Sequence, residues 1–238
     1  MTADDGTAIA TLANYAAHPT METAEDLRFS ADYPGHMMRA VEAETGGVCI
    51  FMQGAAGDLS ASPVGGRDSE AMGAQLAAEV VAAVGRMTPA AVADVTIVAK
   101  EDDFVFESRV DFTSPFVRAA YSEAFYPDLI EVALREFAGG VRPHLTTVYL
   151  RGAGLELALV GVSGDLFCDL GLRLKARSPV PTIVFGYCNG HHLYFPTIEA
   201  AAQGGYAGDS AVAPIEVGGP ETMMGRALTR IFELRGDL

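Results

Sequence analysis

The segment Ile9–Ala17 is mostly apolar and stops abruptly on His18-Pro19. Proline disfavours helix at the residue before it and cannot donate to a strand ladder, so an extended segment must end there. Val48–Met52 and Thr182–Tyr187 are further short apolar runs, of the kind that parallel sheets bury on both faces. Stretches with helical spacing lie between these runs. Strands that alternate with helices give an α/β class, with mixed sheet layers flanked by helices.

In chain order, Thr7–Ala17 reads as a strand, Thr20–Pro34 as a polar, turn-rich stretch and Gly35–Glu44 as a helix stopped by Gly46-Gly47. Gln53–Ser60 is a small-residue turn after the second strand. Ser69–Arg86 is an amphipathic helix with Met72, Leu76, Val80 and Val84 inward, followed by Thr88-Pro89. Val95–Phe106 reads as strand, and the mixed segment Glu107–Gly140 holds a helix over Leu129–Phe137. Leu145–Leu150 and Leu155–Val162 form a hairpin across Arg151-Gly-Ala-Gly154. Helices are expected over Leu166–Ala176, Ile198–Ala202 and Pro220–Leu234, the last with proline near its start. Asp5-Gly6 signals a hairpin turn, yet almost no chain precedes it to supply a first strand.

A chain of 238 residues, half of them hydrophobic, can bury a sizeable core, and it reads as one domain over residues 1–238. The net charge of −15 argues against a nucleic-acid partner, which needs clustered Lys and Arg. Cys49, Cys168 and Cys188 are odd in number, widely separated and without CxxC spacing. They read as free thiols in a reducing setting, cytoplasmic for the chain as it stands. No apolar run reaches the length of a membrane span, and the N-terminus lacks signal-peptide character.

Polar clusters gather where the apolar runs end: His18; Asp58 and Ser60; His191, His192 and Tyr194; and Ser163-Gly164-Asp165. In α/β sheets, sites collect where strand ends meet. Imidazole, carboxylate and phenol from separate strand ends could hold a divalent ion such as zinc. Ser60 on a tight turn could act as a nucleophile or donate to an oxyanion, although no GxSxG elbow surrounds it. Asp and Ser after a glycine turn also cap helices, and histidines often only close strands. His36 and His144 have no polar company in the sequence and read as structural or surface residues.

Asn14–Thr20, Ser30–Gly35, Phe51–Ser60, Val162–Leu166 and Asn189–Thr197, followed by Gly204-Gly205-Tyr206, occur in an order that resembles the neutral/alkaline, non-lysosomal ceramidase family and its shorter bacterial relatives. The resemblance runs along nearly the whole chain. It implies a zinc amidase that splits an N-acylsphingosine or related lipid amide into an amine and a fatty acid. It further implies His18, Asp165 and Tyr194 as metal ligands and Ser60 as the catalytic serine. Asp58 would orient the turn, and His191 or His192 would supply a proton or stand in for a missing ligand.

Three departures accompany the resemblance. Ala61 replaces the family's proline after the serine. Asp165 replaces a glutamate, which draws the carboxylate back by over ~1 Å. The family's first histidine belongs to an N-terminal segment that has no counterpart here, so the chain reads as the C-terminal portion of a longer family domain. Two other readings follow: a non-catalytic chain that persists as a homo-oligomer or with a complementing partner, and a metal-free serine hydrolase that pairs Ser60 with His18.

Overall fold

The computed structural model describes residues 1–23, 25, 27–61, 66–88, 90–124 and 128–238. Pro89, expected to follow the second helix, lies outside the described residues, as do residues 24 and 26 of the turn-rich stretch. The chain divides into two compact units, one of residues 1–54 and 59–93 and the other of residues 55–58 and 94–238.

In the first unit, β1 (Ala10–Tyr15) leads to α1 (Asp32–Thr45), β2 (Val48–Gln53) and α2 (Ser69–Arg86). β1 and β2 pair in parallel, from Ala10 opposite Val48 to Tyr15 opposite Gln53. Ala13 and Cys49 face the helices and pack with Met37, Val41 and Ala77. Because successive strand residues point to opposite faces, Leu12, Val48 and Ile50 fall on the other side. They are 44%, 54% and 44% exposed, so this parallel pair is covered on one face and not on both as its composition suggested.

The stripe on α2 also differs from expectation. Met72, Leu76, Val80 and Val84 are half-buried, while Gly73 and Ala77 are buried. A Cβ at Gly73 would lie 2.4 Å from that of His36, so small residues carry the closest approach of the two helices and the large ones flank it. Asp68 caps α2 by accepting from the Ala71 amide at 2.9 Å.

The opening turn has a short first arm after all. Thr2 bridges antiparallel to Ala8 across Asp5-Gly6, where Gly6 takes a left-handed φ of 84°. The amino group of Met1 donates to the Ala10 carbonyl at 2.7 Å.

The second unit contains β3 (Thr96–Asp103), α3 (Pro115–Ala124), α4 (Asp128–Phe137), β4 (His144–Gly152), β5 (Leu155–Val162), β6 (Asp165–Leu166), α5 (Cys168–Arg177), β7 (Thr182–Phe185), β8 (Tyr194–Phe195), α6 (Ile198–Gln203) and α7 (Gly219–Arg235). Its main sheet runs β3-β4-β5-β7. The β3–β4 and β4–β5 pairs are antiparallel, and β5–β7 is parallel. The hairpin thus forms where glycine spacing placed it.

Leu145, Tyr149, Val160 and Val162 of this sheet enter one core with Leu170 and Leu174 of α5 and Met223, Ala227 and Ile231 of α7. Full burial of side chains this size stabilises by roughly 1.5–3 kcal/mol each. Leu166, expected to open a helix, instead pairs in parallel with Phe195, as Asp165 does with Tyr194. The helix starts later, at Cys168, because the Leu166 carbonyl accepts from the Gly57 amide at 2.9 Å.

Candidate active site

In the first unit, the end of the β1 segment meets the turn after β2. His18 and Ser60 form an isolated parallel bridge, and the His18 amide donates to the Leu59 carbonyl at 2.9 Å. Nδ1 of the His18 ring lies 3.0 Å from the same carbonyl oxygen. A carbonyl only accepts, so Nδ1 carries a proton in this contact. The ring is half-buried and Ser60 is exposed.

The Ser30–Gly35 stretch braces this region. The Asp32 carboxylate accepts from the amides of Met21, Glu22 and Tyr33 at 2.8, 2.8 and 2.6 Å. The Tyr33 hydroxyl and the Gln53 amide nitrogen both donate to the Ala17 carbonyl, at 2.7 and 2.9 Å. The residue before His18 is therefore held by two side chains from other elements.

In the second unit, the parallel register sets Asp165 beside Tyr194. Asp165 is 1% exposed. Its amide donates to the Leu193 carbonyl at 2.8 Å, and the Tyr194 amide donates to the Val212 carbonyl at 3.1 Å. A Cβ at Gly164 would lie 2.5 Å from the Phe195 ring, so glycine is what lets the strand pair close at this point.

Burial first, then the influence of Asp165, holds the Tyr187 phenol well above its ordinary range. The Tyr194 phenol is pushed up to about 12 by burial, then by Asp165 and Tyr206. Tyr206 meets Tyr194 edge to face, with ring centroids 5.8 Å apart. The Tyr187 and Tyr194 phenols therefore stay protonated at neutral pH.

The remaining candidates have other local duties. Asp58 is exposed, and its carboxylate accepts the Cys168 amide at 2.7 Å and the Cys168 thiol at 3.3 Å, capping α5. Nδ1 of His192 lies 2.9 Å from the Ser163 carbonyl and 3.0 Å from its hydroxyl. Burial lowers the pKa of His192. His191 is exposed and stacks on Tyr187 at 5.3 Å. His144, which looked solitary in the sequence, pairs with Asp103, and its amide donates to the Ser163 hydroxyl at 2.7 Å. His36 likewise has company, with Nδ1 3.2 Å from the Arg39 guanidinium.

Sequence reasoning passed over Tyr187, which ends an apolar run and reads there as one more strand residue. Its signal lies in the backbone. Tyr187, Asn189 and Leu193 all adopt left-handed φ values, 56°, 61° and 62°, within one short segment. Non-glycine residues in that region cost about 1–3 kcal/mol each and cluster at functional sites.

An implied zinc ion finds a partial fit. Asp165 and Tyr194 offer a carboxylate and a phenol from adjacent register positions. Among the described residues, no group of three His, Cys, Asp or Glu side chains gathers as a metal-holding cluster. Among them, too, no helix is long and apolar enough to cross a membrane.

No family model and no curated protein matches the sequence. Solved structures do match. Neutral ceramidase from Pseudomonas aeruginosa superposes on all of this chain with a TM-score of 0.71 at 17% identity, over 46% of its own length. A ceramidase complexed with C2 gives the same TM-score at 16% identity, over 47% of its length. The chain spans about half of these proteins, and its mixed α/β architecture is the fold of a partial neutral ceramidase.

Proposed function

We propose that this chain is a ceramidase-like, metal-dependent hydrolase that cleaves the amide of an N-acyl lipid. The observation that carries the reading is the pairing of Asp165 with Tyr194 across β6 and β8, in a chain that superposes along its whole length on a neutral ceramidase. Zinc, when bound, would lower the pKa of its water towards ~7 and polarise the amide carbonyl.

The chain's own residues supply the rest. Asp165 and Tyr194 are the oxygen ligands of the proposal. His18, whose Nδ1 rests on the Leu59 carbonyl, is the imidazole of the proposal. Ser60 is exposed on a turn held by the His18 bridge, where its hydroxyl can donate to a carbonyl oxygen as negative charge develops. Asp58 orients the same turn through its contacts with Cys168.

A second reading draws on the bridge between His18 and Ser60, which places a serine beside a histidine. In that case Ser60 attacks the acyl carbon and no metal is required.

The purified chain, assayed on a short-chain fluorescent N-acylsphingosine, separates the two. On the metal reading, EDTA abolishes hydrolysis, zinc restores it, and Asp165→Asn lacks both activity and bound zinc. The same metal analysis on His18→Ala reads whether the imidazole belongs to the ligand set. Hydrolysis that survives EDTA but is lost in Ser60→Ala establishes the serine mechanism instead. A metal-free chain with no hydrolysis overturns both readings.

A further inference from the structure

We infer that the loop between Glu22 and Asp32 is an interfacial anchor, which sets Leu27 and Phe29 into the surface of a zwitterionic lipid bilayer. An N-acyl lipid substrate would bring the chain to such a surface. Binding to it is measured without hydrolysis, so this inference and the hydrolase reading can each fail alone.

The tip of the loop is apolar where its sequence surroundings are not. Leu27 is 92% exposed and Phe29 is wholly exposed, and among the described residues no large apolar side chains are more so. Single exposed apolar residues are ordinary on a protein surface, but these two stand one residue apart on the same turn. Arg28 separates them, a side chain whose apolar stem and charged head suit the headgroup layer.

The base of the loop is built as firmly as its tip is bare. One carboxylate oxygen of Asp32 accepts from the amides of Met21 and Glu22, both at 2.8 Å, and so closes the loop across eleven residues of chain. The Asp32 amide donates to the Ser30 hydroxyl at 2.9 Å, and the Ser69 hydroxyl at the start of α2 donates to the Glu22 carboxylate. Asp32 is buried and holds a left-handed φ of 50°, a conformation kept only where the surroundings enforce it. A stapled base loses little freedom when the tip is buried, so more of the apolar gain appears as binding. The loop leaves the chain just after His18, whose carbonyl accepts from the Thr20 amide at 3.0 Å.

A lipid surface fits this tip better than a protein partner does. A specific protein interface covers about 800 Å² on each side, whereas an aromatic side chain buries only about 150–250 Å². Two side chains on a protruding turn fall short of that area. A bilayer needs no matching socket, and each anchor that enters it should raise partitioning by about tenfold. The net charge of −15, with Glu25 exposed near the tip, disfavours anionic headgroups and points to zwitterionic ones.

The test uses the full chain and vesicles of phosphatidylcholine, with bound protein read by sedimentation. Phe29→Trp gives the chain a single tryptophan. Its emission should shift to the blue when vesicles are added and be quenched by brominated phosphatidylcholine. Leu172→Trp, on the exposed side of α5, should do neither. The double variant Leu27→Asn/Phe29→Ser should partition at least tenfold more weakly. Asparagine tolerates the left-handed φ of 48° at position 27, and an unchanged urea midpoint would show that the fold is kept. Wild-type protein that stays in the supernatant, undiminished partitioning of the double variant, or an equal blue shift in Leu172→Trp overturns the inference. A blue shift in Phe29→Trp that needs no lipid and grows with protein concentration assigns the tip to a second copy of the chain, and overturns it too.

Discussion

Asp58 accepts both hydrogen-bond donors of Cys168, the amide at 2.7 Å and the thiol at 3.3 Å, from a turn 110 residues earlier in the chain. α5 begins at Cys168 behind Phe167, whose side chain cannot cap, so the helix takes its N-terminal acceptor from a distant segment. The thiol pays a visible toll: burial first, then the hydrogen bond to Asp58, push it above its ordinary range. Cys168 is a helix-terminus donor and not a thiolate nucleophile.

Removing the carboxylate should therefore register as lost stability. Asp58→Ala is expected to cost about 1 kcal/mol, within the ~0.5–2 kcal/mol range of cap deletions. Asp58→Asn, which keeps an acceptor oxygen, should cost less. Urea midpoints measure both, and an unchanged midpoint in Asp58→Ala would remove the capping role.

Gly164→Ala tests the closure of β6 on β8. The new Cβ would sit 2.5–2.7 Å from three carbons of the Phe195 ring, which is fully buried and cannot retreat into solvent. Overpacking of this kind costs about 1–3 kcal/mol. Trimming the ring in the double variant Gly164→Ala/Phe195→Leu should recover part of the loss, and two additive losses would argue against direct contact.

Tyr33 makes stability sensitive to alkali. Its hydroxyl donates to the Ala17 carbonyl, and burial, followed by the neighbouring Tyr15 and Asp32, holds its pKa above the ordinary phenol range. The unfolded phenol releases its proton near pH ~10, while the folded one keeps it. Above that pH the unfolded state binds fewer protons, so stability is fully present below it and falls as pH rises beyond it. Tyr33→Phe should flatten this decline in urea titrations run on either side of pH ~10, at a cost of about 1 kcal/mol at neutral pH for the lost hydrogen bond.

The link between α7 and β3 should weaken in acid. The Arg230 guanidinium grips Asp102 through Nε at 2.8 Å and a terminal nitrogen at 2.5 Å. The hydrogen bond from Arg230, more than any other contact, holds the Asp102 carboxyl below its usual range. Its contribution is present above the unfolded value of ~3.9 and is lost as pH falls through the lower folded value. Arg230→Lys cannot make both contacts and should cost about 1–2 kcal/mol, since the pair is partly exposed. Equal acid midpoints in the two proteins would refute the assignment.

Much of this architecture could be read from residue order. The hairpin at Arg151–Gly154 and the long helix from Ser69 to Arg86 rest on local rules of glycine and periodicity, and each appears where those rules put it, whereas the first strand spans only Ala10–Tyr15 and stops short of His18-Pro19. What escaped depends on distant partners. The two-residue strands at Asp165 and Tyr194 are too short for any periodicity and exist only because they find each other. α3, from Pro115 to Ala124, lay inside a stretch of mixed composition. The left-handed backbone at Tyr187 was invisible because it depends on amides that reach the strand ending at Asp165. His144 seemed isolated because Asp103 reaches it only through the β3–β4 register.

The phenols around Asp165 also make this molecule its own optical instrument. The chain has eight tyrosines and no tryptophan, so all of its near-ultraviolet emission comes from phenol rings. Two of the eight stand beside one carboxylate, and a third leans on one of those two. A cation that settles among them must disturb their absorbance and fluorescence, so occupancy can be followed in unlabelled protein against no indole background.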